Sequence, residues 1–124
     1  HELHTAGPNT SIEDAFEKMQ IHSIHHLPII SDNAELQAII SDRAILKALA
    51  LKASSPKSAV ISIAARPVYC VRDNTDLRQT ARLLCDYHIG ALPVINQDNK
   101  LTGIITRSDL LRLMSDYGPL ELWA

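Results

Sequence analysis

Aromatic side chains are scarce, with one Phe, one Trp and three Tyr in 124 residues. So few flat faces exclude a platform that stacks the bases of a single-stranded nucleic acid. Positive charge is not in excess either: 12 Lys and Arg against 14 Asp and Glu give a formal net charge of −2. The electrostatic footprint of a duplex binder is therefore missing. Cysteine is limited to Cys70 and Cys85, with no Cys-x-x-Cys spacing. That removes zinc ribbons and dithiol redox pairs, and it points to a reducing, cytoplasmic setting. No apolar run nears the ~20 residues of a membrane span, and Lys47 and Lys52 interrupt the longest one. No Ser or Cys stands in a nucleophile elbow or beside a placed base, so no catalytic residue is expected. His1 is not an initiator, and no signal peptide precedes it, so the chain reads as a fragment of something longer.

What is present is a 46% hydrophobic, 21% charged chain whose core must be filled by Ile, Leu, Val and Ala. It also contains itself twice. Residues 10–49 laid on residues 75–114, at a constant offset of 65 and without a gap, match Leu27-Pro28 with Leu92-Pro93, Ile24 with Ile89, Leu36 with Leu101 and Ile39-Ile40 with Ile104-Ile105. Two copies of one supersecondary unit, each too small for its own core, are expected to pack face to face with related clefts between them. The boundaries read as repeat 1 over 1–53, with its first strand cut short, a linker and short helix over 54–65, repeat 2 over 66–116 and a tail over 117–124.

Within the first copy, Leu3 to Ala6 reads as a strand, and Thr10 with Glu13 as the capping box of a helix whose Ile12, Ala15, Phe16 and Met19 share a face. Strands over 27–30 and 36–40 follow, with Pro28 near a strand start, and Ser41 caps the next helix. The second copy repeats the pattern: a strand over 66–71, a helix opened by Thr75 and Asp76 that buries Leu77, Ala81, Leu84 and His88, a hairpin, and a closing helix over 107–116.

The junction Gly103-Ile104-Ile105-Thr106-Arg107-Ser108-Asp109 carries the candidate chemistry. Thr106 suits an N-cap and Asp109 stands three residues on, so open helix-start amides lie beside a hydroxyl and a carboxylate. Such a carboxylate offers only acceptors and suits the two hydroxyls of a ribose. Thr-x-x-Asp is also a close relative of the capping box, which serves the helix alone.

A tandem β-α-β-β-α unit with His26-Leu27-Pro28-Ile29-Ile30, Ala91-Leu92-Pro93-Val94-Ile95 and this Gly-hydrophobic-x-Thr-x-x-Asp junction resembles the cystathionine-β-synthase (CBS) domain pair, or Bateman module, over nearly the whole chain. The resemblance implies an α+β fold of two repeats packed with pseudo-twofold symmetry. It also implies a non-catalytic regulatory module that binds AMP, ADP, ATP or S-adenosylmethionine between the repeats, requires no cofactor, forms a homodimer and controls a partner protein or domain. It assigns ribose binding to Asp109, ribose or phosphate contact to Thr106 with Arg107 beside it, base contacts to Ile105 and Leu3, and the facing wall to His4 and His25. A second, weaker cleft would involve Ser41, Arg66, Tyr69 and Gly90.

The copies differ where it matters: Ala44 stands where the other has Asp109, and His25 where the other has Gly90. The asymmetric acid favours a ligand role for Asp109, since capping alone would serve both copies equally. His25 is open to contacting phosphate, donating to the base or plugging the pocket. The plugged reading goes with the alternative function, a ligand-free structural dimerisation module. His22, His25 and His26 lack an interleaved carboxylate or thiol, and no metal site is expected there. Leu120, Leu122 and Trp123 make the tail apolar, suited to docking on its own domain, a second subunit or a partner.

Overall fold

The chain's structure is a computed structural model that describes residues 3–66, 69–87 and 89–117. His88 and the apolar tail from Gly118 lie outside the described residues. The elements run α1 (Ile12–Ile21), β1 (His26–Ile30), β2 (Leu36–Ser41), α2 (Asp42–Ala50), a 3₁₀ turn (Val60–Ile63), β3 (Val71–Arg72), α3 (Leu77–Asp86), β4 (Ala91–Ile95), β5 (Leu101–Thr106) and α4 (Arg107–Tyr117). Adding 65 to the bounds of α1, β1 and β2 gives those of α3, β4 and β5 to the residue, and α2 and α4 start at the same offset. The fold is α+β, built from two β-α-β-β-α repeats. It divides into two units, His1–Val68 with Asn99–Leu101, and Tyr69–Asp98 with Thr102–Ala124.

In the first unit β1 and β2 pair antiparallel, with a register shift between Ile29 and Ile30. Ala6 bridges Ile29 in parallel, and Ala65 bridges Ile39 antiparallel. The expected first strand thus shrinks to a single bridge at Ala6. Its geometry explains how Pro28 sits third, in the buried middle of β1, rather than near the strand's start. A parallel bridge centred on Ile29 takes a carbonyl from Pro28 (2.9 Å from the Ala6 amide) and an amide from Ile30 (2.9 Å to the Ala6 carbonyl). The amide that proline lacks is never needed. The second unit repeats this: β3 runs parallel to β4 with Val71 opposite Val94, the positions equivalent to Ala6 and Ile29. There β4 lies between β3 and β5. The strand expected over 66–71 is confined, among the described residues, to Val71–Arg72.

Both first helices start one residue later than the first available cap. Ser11, not Thr10, caps α1, accepting from the Asp14 amide at 3.1 Å. Thr10 instead closes the preceding turn, its Oγ1 accepting from Gly7 N at 3.0 Å. The second copy divides the labour the same way: Asp76 caps α3, accepting from Gln79 N, while Thr75 accepts from Arg72 N. The stretch expected as a linker is fastened to α1, whose Ile12 and Glu13 amides donate to the Ser58 and Pro56 carbonyls, with an ion pair from Lys57 to Glu13.

The core is aliphatic, as so few aromatics require. In the first unit it is Ala6, Ile12, Ala15, Met19, Leu27, Ile29, Ala38, Ile40, Ile45 and Val60. In the second, buried Val71, Leu84 and Leu92 are flanked by Leu83, Ile89, Val94, Ile105 and Leu110. Each fully buried Leu or Ile contributes about 1.5–3 kcal/mol over an exposed one. On α3 the buried positions include Thr80, whose hydroxyl donates to the Asp76 carbonyl at 3.0 Å and so enters the core satisfied. Both hairpins turn through a left-handed residue at the same place, Ala34 (φ 64°) and Asn99 (φ 61°).

Candidate functional site

The strand-to-helix junction of the second unit is where β5 hands over to α4. Thr106 and Asp109 form a reciprocal capping box: Thr106 Oγ1 accepts from the Asp109 amide at 3.2 Å, and Asp109 Oδ2 accepts from the Thr106 amide at 2.9 Å. The other carboxylate oxygen, Oδ1, accepts from Arg112 Nη2 at 3.1 Å. The helix start is less open than the spacing suggested, because the Arg107 amide also donates, to the Gly90 carbonyl at 3.3 Å. Arg107 Nε reaches the Ile89 carbonyl at the same distance. Thr106, Arg107 and Gly90 are thereby brought to one place, with Ile105 packed against the core behind them. An ionised carboxylate has about four lone-pair positions. Protein groups use two on Asp109, so both oxygens retain one for an added hydroxyl.

The equivalent junction in the first unit is built differently. Ser41 Oγ accepts from the Ala44 amide at 3.1 Å, a cap with no reciprocal acid. Asp42, at the position of Arg107, donates its amide to the His25 carbonyl (3.0 Å), and its Oδ2 meets His25 Nδ1 at 2.8 Å. The imidazole, exposed over three-quarters of its side chain, is a partner of that carboxylate. Nothing in the spacing announced this pair, whose members lie 17 residues apart. Next to them His26 is half-buried, and desolvation holds its pKa below the ordinary 6.5, against an upward pull from Asp42 and with a further downward push from His25.

Two of the remaining candidates, His4 and Tyr69, lie in ring stacks. His4 lies on His22 with centroids 3.7 Å apart and planes at 18°. Tyr69 lies on Tyr87 at 4.8 Å and 20°. The two pairs occupy the same repeat positions, joining the segment before each first helix to that helix's C-cap. The offset of 65, carried back beyond the aligned residues 10–49, sets His4 on Tyr69 as it sets His22 on Tyr87. Leu3 and Arg66 are exposed. His22 stacks on His4 and His25 pairs with Asp42, and among the described residues no three His, Cys, Asp or Glu side chains are grouped to hold a metal. Among those residues, too, no helix is long and apolar enough to cross a membrane.

A CBS domain profile matches residues 1–51 and again 60–116. The crystal structure of the CBS domain pair of protein MJ0100, in complex with 5′-methylthioadenosine and S-adenosyl-L-methionine, is similar at 30% identity and a TM-score of 0.86, covering 95% of this chain and 92% of that one. The crystal structure of CBSX2 in complex with AMP is similar at 32% identity and a TM-score of 0.81, covering 94% and 90%. A homoserine O-acetyltransferase of Methanosalsum zhilinae is 32% identical over 91% of this chain, which spans only 22% of that protein. The chloroplastic CBS domain-containing protein CBSX2 of Arabidopsis thaliana is 28% identical over 89% of this chain, which spans 58% of it.

Proposed function

Because the chain belongs to the CBS domain family, as a tandem pair, we propose that it is a regulatory module that binds an adenosine-type ligand, AMP, ADP, ATP or S-adenosylmethionine, and performs no chemistry of its own. Thr106 and Asp109 are its primary contacts, with Ile105 and Arg107 beside them. AMP, and methylthioadenosine with S-adenosylmethionine, are the compounds held by two neighbours of 30% identity or more, which supports the ligand class. The observation that carries the residue assignment is the lopsided junction. Repeats whose first helices and hairpin strands share bounds to the residue differ at Asp109 and Ala44, and the acid keeps acceptor capacity on both oxygens. A ligand whose ribose diol meets that carboxylate biases whichever arrangement of the module brings its contacts together, and transmits this to an attached or partner domain. The small share of the acetyltransferase that the chain spans fits such an accessory role, and the two free thiols fit a reducing cytoplasm.

Calorimetric titration of the four ligands against wild type and Asp109→Asn tests this reading. Asparagine retains an oxygen for the Thr106 amide but loses the charge, so binding weakens by about 1.5–3 kcal/mol while α4 stays capped. Equal affinity of both proteins for every ligand sinks the assignment.

The second reading, a dimerisation module, is favoured by Leu46 and Leu111. They occupy the same repeat position on α2 and α4 and are 54% and 65% exposed. An apolar residue left outside by both copies suits a homodimer face.

A further inference from the structure

The second unit carries a groove of about 480 Å³ lined by none of Thr106, Asp109, Ile105, Arg107 or Gly90. Its size falls in the range of small-molecule sites, roughly 300–1,000 Å³. Arg72 from β3 and Gln79 and Arg82 from α3 line it, together with Cys70, Asp86 and Tyr87. Arg82 has no hydrogen bond or ion pair among the described residues, not even to Asp86 one turn further along the helix. Arg72 spends a single N–H on a long 3.3 Å bond to the Asn96 carbonyl. The lining thus holds two guanidinium forks and one carboxylate, and such forks match oxyanions. Tyr69 stacks on one face of Tyr87, whose side chain is still about half exposed and so offers an aromatic surface to the groove.

The fold alone does not demand this chemistry. At the equivalent positions of the first unit, Arg72 becomes Gly7, Gln79 becomes Asp14 and Arg82 becomes Glu17. Neither guanidinium has a counterpart in the first unit, where glycine and an acid stand instead, although the two first helices follow the same element bounds.

We propose that this groove is a second ligand site, separate from the Thr106 and Asp109 junction, taking a small molecule that carries an oxyanion on a planar ring. The anion sits between Arg72 and Arg82 and the ring lies on Tyr87. Cys70 supplies the reporter. It lines the groove, and the only other cysteine, Cys85, is exposed outside it, so in Cys85→Ser the alkylation of Cys70 by iodoacetamide reads occupancy.

Phenyl phosphate serves as the probe, inorganic phosphate and phenol as its two halves. At ten times its Kd, phenyl phosphate slows Cys70 alkylation by about tenfold, because about a tenth of the sites remain empty, and it shifts the Tyr87 ring resonances in NMR spectra. Each half alone protects less at equal concentration. Arg82→Gln and Arg72→Gln, both at exposed positions, abolish the protection, Arg82→Lys restores part of it, and Asp109→Asn, which keeps the cap of α4, leaves it intact. Unchanged alkylation together with unchanged Tyr87 resonances overturns the proposal. So does protection that persists in the double arginine variant, or that disappears with Asp109→Asn.

Discussion

Asp109→Ala separates the two things that the carboxylate does. In the free protein the substitution deletes the bond from the Thr106 amide and the bond from Arg112, but it leaves the Asp109 amide on Thr106 Oγ1, since any residue at 109 keeps that N–H. The lost backbone bond is part-buried and worth about 0.5–1.5 kcal/mol. Loss of an acid in the first helical turn adds about 0.3–1 kcal/mol. The Arg112 pair is an i, i+3 contact with its guanidinium 65% exposed, and adds at most a few tenths. The expected destabilisation is about 1–2.5 kcal/mol, read as a lower urea midpoint at unchanged slope. Asp109→Asn recovers most of it by accepting from Thr106. Ala44→Asp, the converse change in the first unit, completes the box around Ser41 and gains up to about 1 kcal/mol, less the repulsion from nearby Asp42.

The same variants, melted with and without AMP or S-adenosylmethionine, read the second role. A ligand that binds only folded protein stabilises it by RT ln(1 + [L]/Kd) and raises Tm accordingly. Asp109→Ala and Asp109→Asn should both lose that ligand-induced rise, although only the alanine variant is markedly less stable on its own. If the rise is undiminished in both, the carboxylate is a helix cap and nothing more. If Asp109→Ala costs under about 0.3 kcal/mol, the capping box itself is not a structural determinant of α4.

Three further outcomes are expected. Ala34→Gly, or Ala34→Asn in imitation of Asn99, relieves a left-handed alanine and raises stability by about 0.5–1 kcal/mol by chemical denaturation. His26 has a folded pKa below its unfolded value, so between those values the unfolded chain binds more protons. Stability is full above the unfolded pKa and falls as pH drops through the folded one. Urea midpoints taken from about pH 7.5 to about pH 5.5 should therefore decline in wild type and decline less in His26→Gln. Leu46→Glu with Leu111→Glu should move the sedimentation coefficient to that of a monomer without lowering the midpoint, since both side chains are already exposed; an unshifted coefficient removes these leucines from any dimer face.

Most of the scaffold was legible because the repeat checks itself. A constant offset of 65 carries the hydrophobic period of one copy onto the other, and the elements share bounds accordingly. What escaped was decided between neighbours that both qualify, or between residues far apart. Thr10 and Ser11 are each good caps, and only the demand of Gly7 N for an acceptor assigns the first to the turn and the second to the helix. The strand over 3–6 looked longer than it is because a period of two cannot show that one parallel bridge, at Ala6, suffices to cover Pro28. At the junction both readings of Thr-x-x-Asp were legible, and the capping geometry is the one formed in the free chain. The His25 partner, Asp42, was beyond reach, because no local pattern encodes a contact across a hairpin.

Some departures between the copies lie in the core, as at Met19 and Leu84 or Ala15 and Thr80, all buried, and others lie at the junction, where they change charge. Leu27 and Leu92, equivalent and fully buried, are identical because a changed volume there costs core packing. At the junction, equivalent residues make the same backbone bond, Asp42 N to His25 O and Arg107 N to Gly90 O, with side chains of opposite charge. Main-chain geometry is thus preserved while the electrostatics invert. In the first unit an acid at the helix start is met by the imidazole of His25, and in the second the acid has moved two residues on, into the cap, with a cation ahead of it. A helix start favours an anion through its own dipole. The first junction fills that preference with Asp42. In the second, Asp109 is committed to the cap while Arg107 adds positive charge, so of the two it is the better placed to admit a sugar phosphate.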